Sequence, residues 1–133
     1  MYKTGLGILA VCVSLTATAN AFMEVESLAA LPMAIQQNLG VGNPGRDGVA
    51  DKGKPFNATD VVDSSLPMRR LLIAACEGTL QCLIALEQGG RRYSVQAYHF
   101  SGDGDLLGQW TLPGRPTTLR ALQAQISEVE FRK

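Results

Sequence analysis

Two pairs of arginines are the groups in this sequence whose type and spacing most suggest binding chemistry. Arg69-Arg70 and Arg91-Arg92 flank a series of short apolar runs. If those runs form neighbouring antiparallel strands, both pairs come to the same end of a sheet. The more ordinary interpretation is solubility and an ion pair with Glu87. Exposed ion pairs contribute only about 0–1 kcal/mol, whereas guanidinium groups bind carboxylates and phosphates well. Four arginines there therefore also suggest contact with an anion or an acidic partner.

Candidates for catalysis or metal binding are few. His99 is the only histidine, and a general base needs a nucleophile and an orienting group beside it. The sequence offers no nucleophile-elbow serine, so His99 is interpreted as a structural or rim residue. Asp103-Gly104-Asp105 lacks the further ligands of a calcium loop and is typical of a turn. We predict no catalytic residue, no metal site and no cofactor, and hence a protein that is not an enzyme.

The first 21 residues have the pattern of a secretory signal peptide. Lys3 is followed by an apolar stretch over residues 6–15 and by the cleavage signal Ala19-Asn20-Ala21. The apolar stretch ends too early for a membrane anchor, which needs roughly 20 apolar residues. We predict cleavage near Ala21, with Ala19 as the alternative. The mature chain is then periplasmic or secreted and has no membrane span.

Export makes the two cysteines outside this leader informative. The mature chain has two cysteines, Cys76 and Cys82. An even number of cysteines in an oxidising compartment favours a disulfide. The CxxC spacing of redox and zinc motifs is absent, and a single histidine leaves zinc with too few ligands. We predict one disulfide between Cys76 and Cys82.

Length and composition exclude several classes of protein. The chain has 133 residues, of which 46% are hydrophobic, and its twelve basic residues balance its twelve acidic ones. This length suits one domain, and the composition argues against a disordered chain. Without net positive charge, the chain is not expected to bind nucleic acid.

We divide the chain beyond the signal peptide into two parts. Residues 22–55 contain a short predicted helix between Pro32 and Gly40, followed by a Gly-rich loop over residues 40–55 that is functional or disordered. Residues 56–133 are the predicted core domain. It is an α+β fold, with a small antiparallel meander of about four to five strands and a C-terminal helix packed on one face. The strands are predicted over residues 69–76, 80–87, 91–100 and 106–112. A helix is predicted over residues 116–126, and residues 128–132 alternate like a final strand.

The turns between these strands set the predicted register. A two-residue turn at Gly89-Gly90 pairs Glu87 with Arg92, and the preceding turn places Cys76 opposite Cys82. A four-residue tip over residues 102–105 places Trp110 opposite Ala97. The resulting core face is continuous and consists of Leu72, Ala74, Cys76, Cys82, Ile84, Leu86, Tyr93, Val95 and Ala97. The last two strands present a polar face with Ser94, Gln96, Tyr98, Gln109 and Thr111.

These observations suggest an exported protein-binding module, such as an inhibitor or an immunity protein. Its expected partner is another envelope or secreted protein. The hypothesis rests on the small size, the disulfide, the missing catalytic set and a long loop able to enter a partner's cleft. The alternative is an accessory or structural component of an envelope or secretion assembly, and the weakest hypothesis is a small hydrolase. The candidate partner-binding residues are Arg69, Arg70, Arg91, Arg92, Gln96 and Tyr98.

Overall fold

The computed structural model of the chain describes residues 21–133, so the predicted signal peptide lies outside the described part except for Ala21. The strands are β1 (Met23–Val25), β2 (Val49–Ala50), β3 (Arg69–Glu77), β4 (Gln81–Gln88), β5 (Ser94–Ser101) and β6 (Leu106–Leu112). The helices are α1 (Met33–Leu39) and α2 (Leu119–Phe131), with short 3-10 helices over Leu28–Ala30 and Gly45–Asp47. Neither α1 nor α2, the two α-helices of this part of the chain, is long and apolar enough to cross a membrane.

The sheet is the antiparallel meander that the sequence predicts. The four long strands follow one another in the order β3, β4, β5 and β6. β1 pairs antiparallel with one end of β3, and β2 pairs parallel with the other end. The segment before residue 56 therefore contributes two short strands to the same sheet. Within the described residues, β6 forms one edge of the sheet, and the short strands β1 and β2 lie at the other.

One disulfide and one hairpin register follow the prediction closely. Cys76 lies opposite Cys82 in the β3–β4 hairpin, and the two form a disulfide with their Cα atoms 4.1 Å apart. In the β5–β6 hairpin, Trp110 lies opposite Ala97. The α+β class, the meander, the C-terminal helix on the sheet and the disulfide are thus confirmed.

The register between β4 and β5 was predicted wrongly. Residues 89–93 connect the two strands, in place of a two-residue turn, and Glu87 lies opposite Val95 rather than Arg92. A shift of three residues turns β5 over relative to β4, because successive side chains in a strand point to opposite faces. The predicted Glu87–Arg92 pair is therefore absent, and Tyr93 lies in the connection, 45% exposed, rather than in the core.

This shift divides the predicted single core into two, one on each face of the sheet. The face toward α1, here called the α1 side, buries Leu28, Leu31, Ile35, Leu39, Leu71, Ala74, Cys76, Cys82, Ile84, Leu86 and Phe100. The opposite face, the α2 side, buries Leu72, Ile73, Leu83, Ala85, Val95, Ala97, Leu112 and Leu122. An irregularity in β3 between Leu71 and Ile73 places Leu71 on the α1 side and Leu72 on the α2 side.

The two helices differ in how well the sequence located them. α1 lies where Pro32 and Gly40 predict it, and Gly40 adopts the left-handed conformation (φ 83°) that commonly ends a helix. α2 begins at Leu119 and ends at Phe131, so it includes most of the segment 128–132, for which the sequence analysis predicted a strand. That prediction is wrong because Val129 extends the apolar stripe of α2 and packs against the α2-side core.

Candidate functional site

The two arginine pairs lie at the same end of the sheet, but they do not form one cluster. Arg69 and Arg70 are successive residues of β3, so their side chains reach opposite faces. Arg91 and Arg92 are exposed in the β4–β5 connection and form no salt bridge within residues 21–133. The structure therefore offers two separate candidate sites, one around Arg70 and one around Arg69.

The first site is a cleft on the α2 side that we call the Glu87 cleft. It has a volume of about 240 Å³ and is lined by Lys52, Gly53, Arg70, Leu71, Leu72, Glu87, Arg115 and Thr117. Glu87 is 2% exposed. Its Oε2 atom lies 2.9 Å from Nε of Arg70 and 3.3 Å from Nη2 of Arg115. Since a buried carboxylate is stable only when it is paired and hydrogen-bonded, these contacts account for its position.

Further contacts fix the groups around Glu87. The Tyr93 hydroxyl donates a hydrogen bond to Oε1 of Glu87 at 2.9 Å, and burial together with this bond raises the pKa of Tyr93. Arg70 also donates to the Lys54 carbonyl at 3.1 Å and lies over the Phe56 ring at 4.3 Å from its centroid. The guanidinium of Arg70 is thereby held in one orientation.

Sequence reasoning identified Arg70 but missed the other cationic residues of this cleft. Lys52 and Arg115 belong to loops, and no local pattern connects them to β4. Glu87 itself carried a signal, because it is a charged residue next to a continuous apolar run in β4. Such a residue needs a partner when its strand is buried on both faces.

The second site lies on the α1 side and is called here the Tyr98 surface. It consists of Arg69, Gln96, Tyr98, Leu106, Gln109 and Thr111, none of which is buried. The predicted polar face of the last two strands is thus present, with Tyr98 opposite Gln109 and Gln96 opposite Thr111. The structure brings three of the candidate partner-binding residues, Arg69, Gln96 and Tyr98, to this face.

A pocket of about 390 Å³ opens in the Tyr98 surface, between the end of α1 and the β5–β6 turn. Arg69 and Tyr98 line it, and Arg69 donates a hydrogen bond to the Leu39 carbonyl at 2.6 Å. The Tyr98 ring stacks on Phe100 with 6.0 Å between the centroids. Burial raises the pKa of Tyr98, and the charge of Arg69 opposes this shift. A tyrosine and an arginine that are both held in place are typical anchors of protein interfaces.

The edge strand β6 contributes Leu106, Gln109 and Thr111 to the Tyr98 surface, and within the described residues no strand pairs with its outer side. Its sequence, LLGQWTL, contains no charged residue and no proline, and Leu106 and Leu107 are 51% and 57% exposed. Proteins usually protect an open strand edge with charges, prolines or a covering segment. An uncharged, partly apolar edge of seven residues is therefore a surface that a further strand can pair with.

His99 lies on the α2 side in a third cavity. This cavity has a volume of about 470 Å³, and Trp110 and Ser127 also line it. Nε2 of His99 is 2.7 Å from Oε1 of Gln81, whose amide nitrogen donates to Glu77. No hydrogen bond joins Ser127 to His99 within residues 21–133, and no group of three or more metal-ligating side chains is found in that range. The described hydrogen bond of the His99 ring is thus to an amide side chain.

The titration of His99 is directly testable. Burial lowers the pKa of His99 from its ordinary value of 6.5. A group of this kind contributes stability above its unfolded pKa, and that stability is lost as the pH falls through the folded pKa. We expect an NMR titration of the imidazole to give a midpoint below 6.5. The difference in unfolding free energy between the wild type and His99→Gln should shrink as the pH falls through that midpoint. A midpoint at or above 6.5 would contradict this assignment.

Comparison of the chain with protein-family models, with curated proteins and with solved structures gives no match.

Proposed function

We propose that this protein is an exported protein-binding module that holds its partner through the β6 edge and the adjoining Tyr98 surface. The open, uncharged edge of β6 is the observation that carries the proposal. An extended segment of a partner can add to such an edge, where main-chain hydrogen bonds provide affinity and neighbouring side-chain pockets provide specificity. The pocket between Arg69 and Tyr98 is suitably placed to receive one side chain of that segment.

The compartment and the class of partner in this proposal are inferred from the disulfide. The Cys76–Cys82 disulfide suits a protein of the periplasm or the exterior, so the partner is another envelope or secreted protein. Inhibition of that partner, as by an inhibitor or immunity protein, is the specific form of the proposal, because strand addition can occupy a substrate-binding edge or cleft.

The alternative, an accessory component of an envelope or secretion assembly, uses the same edge differently. A component that links copies into a larger assembly needs an open surface on each side. Here β1 and β2 form the other edge of the sheet and are only three and two residues long. Very short edge strands offer little for another chain to pair with, which favours pairwise binding through β6. Gel filtration of native extract separates the two, because a large assembly elutes earlier than a one-to-one complex. Elution at the size of a simple complex supports the module.

The experiment that tests the proposal compares two leucine-to-lysine variants. Leu107 lies on the β6 edge at 57% exposure, and Leu80 lies in the β3–β4 turn at 69% exposure. A lysine on a strand edge opposes strand addition. We expect immobilised wild-type protein to capture a partner from envelope extract or culture medium. Leu107→Lys should reduce this capture by about tenfold or more, and Leu80→Lys should leave it unchanged.

Two outcomes would overturn the proposal. The first is capture that Leu107→Lys leaves intact, or that Leu80→Lys reduces equally, since the β6 edge would then not be the docking site. The second is the absence of any captured protein over a range of salt and pH. Thermal unfolding of both variants checks that neither has lost its fold.

A further inference from the structure

The Glu87 cleft carries more positive charge than its single carboxylate neutralises. Lys52, Arg70 and Arg115 line it together with Glu87, which leaves an excess of two positive charges. Glu87 is already shared between the two arginines, while Lys52 forms no salt bridge within residues 21–133. Like charges held near one another in a concave site create a local positive potential.

We propose that the Glu87 cleft binds one oxyanion group, a carboxylate or a phosphate. Arg115 donates to Glu87 through one nitrogen and its side chain is 55% exposed, so the guanidinium has further N–H groups for another acceptor. Thr117 also lines the cleft, and its side chain carries a hydroxyl that can donate a further hydrogen bond. Guanidinium and hydroxyl donors around a shared concavity are the groups that recognise oxyanions.

The position of the arginines is preset by the protein. Glu87 holds Arg70 and Arg115 at 2.9 Å and 3.3 Å, and the Phe56 ring and the Lys54 carbonyl fix Arg70 from the other side. A ligand therefore meets side chains that have already lost much of their conformational freedom, which reduces the entropic penalty of binding. Glu87 acts here as a positioning residue and not as a contact for the anion.

The size of the cleft limits the ligand. Its volume of about 240 Å³ falls below the roughly 300–1,000 Å³ of pockets that enclose drug-sized molecules. The cleft thus fits a single anionic group, either a small free anion or the acidic side chain of a protein. This inference does not depend on the β6 edge, because the cleft lies on the α2 side and the Tyr98 surface lies on the α1 side.

The test titrates the folded chain with inorganic phosphate, with succinate and with a tetraglutamate peptide. Amide NMR shifts of Lys52, Gly53 and Thr117 report on the cleft, with ionic strength held constant by chloride. We expect saturable shifts with at least one probe. Lys52→Gln and Arg115→Gln should each weaken binding by about tenfold. Arg120→Gln removes the same charge from an exposed position of α2 and should change affinity less than twofold.

Each outcome either tests whether the cleft binds an oxyanion or identifies the source of that oxyanion. Saturation by phosphate or succinate assigns the site to a free anion, and saturation by the peptide alone assigns it to acidic side chains. Shifts that stay linear with all three probes, or that Arg120→Gln weakens as much as Lys52→Gln, overturn it. Lys52→Gln keeps the test decisive if Arg115→Gln fails to fold. None of these results depends on Leu107→Lys, so failure here and failure of the docking proposal are distinguishable.

Discussion

Glu87→Ala should lower the free energy of unfolding by about 3 kcal/mol. Removal of one partner of a buried ion pair typically costs about 3–5 kcal/mol, because the remaining charge is left uncompensated. The side chain of Arg70 keeps 24% of its exposure and that of Arg115 keeps 55%, so solvent compensates in part and the lower end of that range applies. The hydroxyl of Tyr93 also loses its acceptor.

Urea denaturation of a pair of matched variants measures this effect. Glu128 pairs with Arg132 at 2.6 Å on the exposed surface of α2, and Glu128→Ala should cost less than about 0.5 kcal/mol. Glu87→Gln keeps an acceptor but not the charge, so its loss should fall between those of the two alanine variants. If Glu87→Ala destabilises the protein no more than Glu128→Ala, the carboxylate does not organise the cleft.

The elements of the fold that the sequence predicted well are those set by neighbouring residues. Glycine-rich turns and short apolar runs are local signals, and they located β3, β4 and β6 to within about a residue of the observed bounds. The disulfide was predictable for the same reason, since a short turn places Cys76 and Cys82 opposite each other in the hairpin. The pairing of Trp110 with Ala97 followed from the need to bury an aromatic ring.

The β4–β5 register could not be predicted from local turn chemistry. Gly89-Gly90 suits a two-residue hairpin turn, but Gly89 is buried against the backbone of Asn57, which is distant in sequence. The sequence of β4 contains a second signal, which the register prediction did not use. Its continuous apolar run, from Cys82 to Leu86, is typical of a strand that is buried on both faces, which agrees with two cores rather than one.

The candidate sites were also predictable only where local sequence patterns determine them. Alternation along β5 and β6 placed Gln96 and Tyr98 on a shared face, and that placement is present in the structure. To predict the Glu87 cleft, one would need to know that the loop before α2 brings Arg115 to β4. Arg115 and Glu87 are 28 residues apart in the sequence. Local spacing contains no information about such a contact, so Arg92 was assigned to Glu87 in its place.

The close packing at Gly89 leads to the second large expected effect. A Cβ atom at residue 89 would lie 1.6 Å from the carbonyl oxygen of Asn57 and 2.7 Å from its carbonyl carbon. Real atoms do not approach so closely, and the obstacle is backbone rather than a flexible side chain. Asn57 cannot move away easily, because its side-chain amide donates to the carbonyls of Asp63 and Leu66 at 2.8 Å and 2.9 Å. Gly89 itself donates to the Met68 carbonyl at 2.9 Å.

Gly89→Ala should therefore destabilise the fold by about 3 kcal/mol or more, at or above the upper end of ordinary overpacking. Gly114→Ala is the matched control, since its nearest neighbour is a Gln125 side-chain atom at 3.5 Å and neither glycine has a positive φ. Its effect should stay within about 1 kcal/mol of zero. Because Gly89 follows the end of β4, Gly89→Ala should also shift the amide resonance of Glu87. Equal melting temperatures for the two variants would show that the connection after β4 yields to an added methyl group.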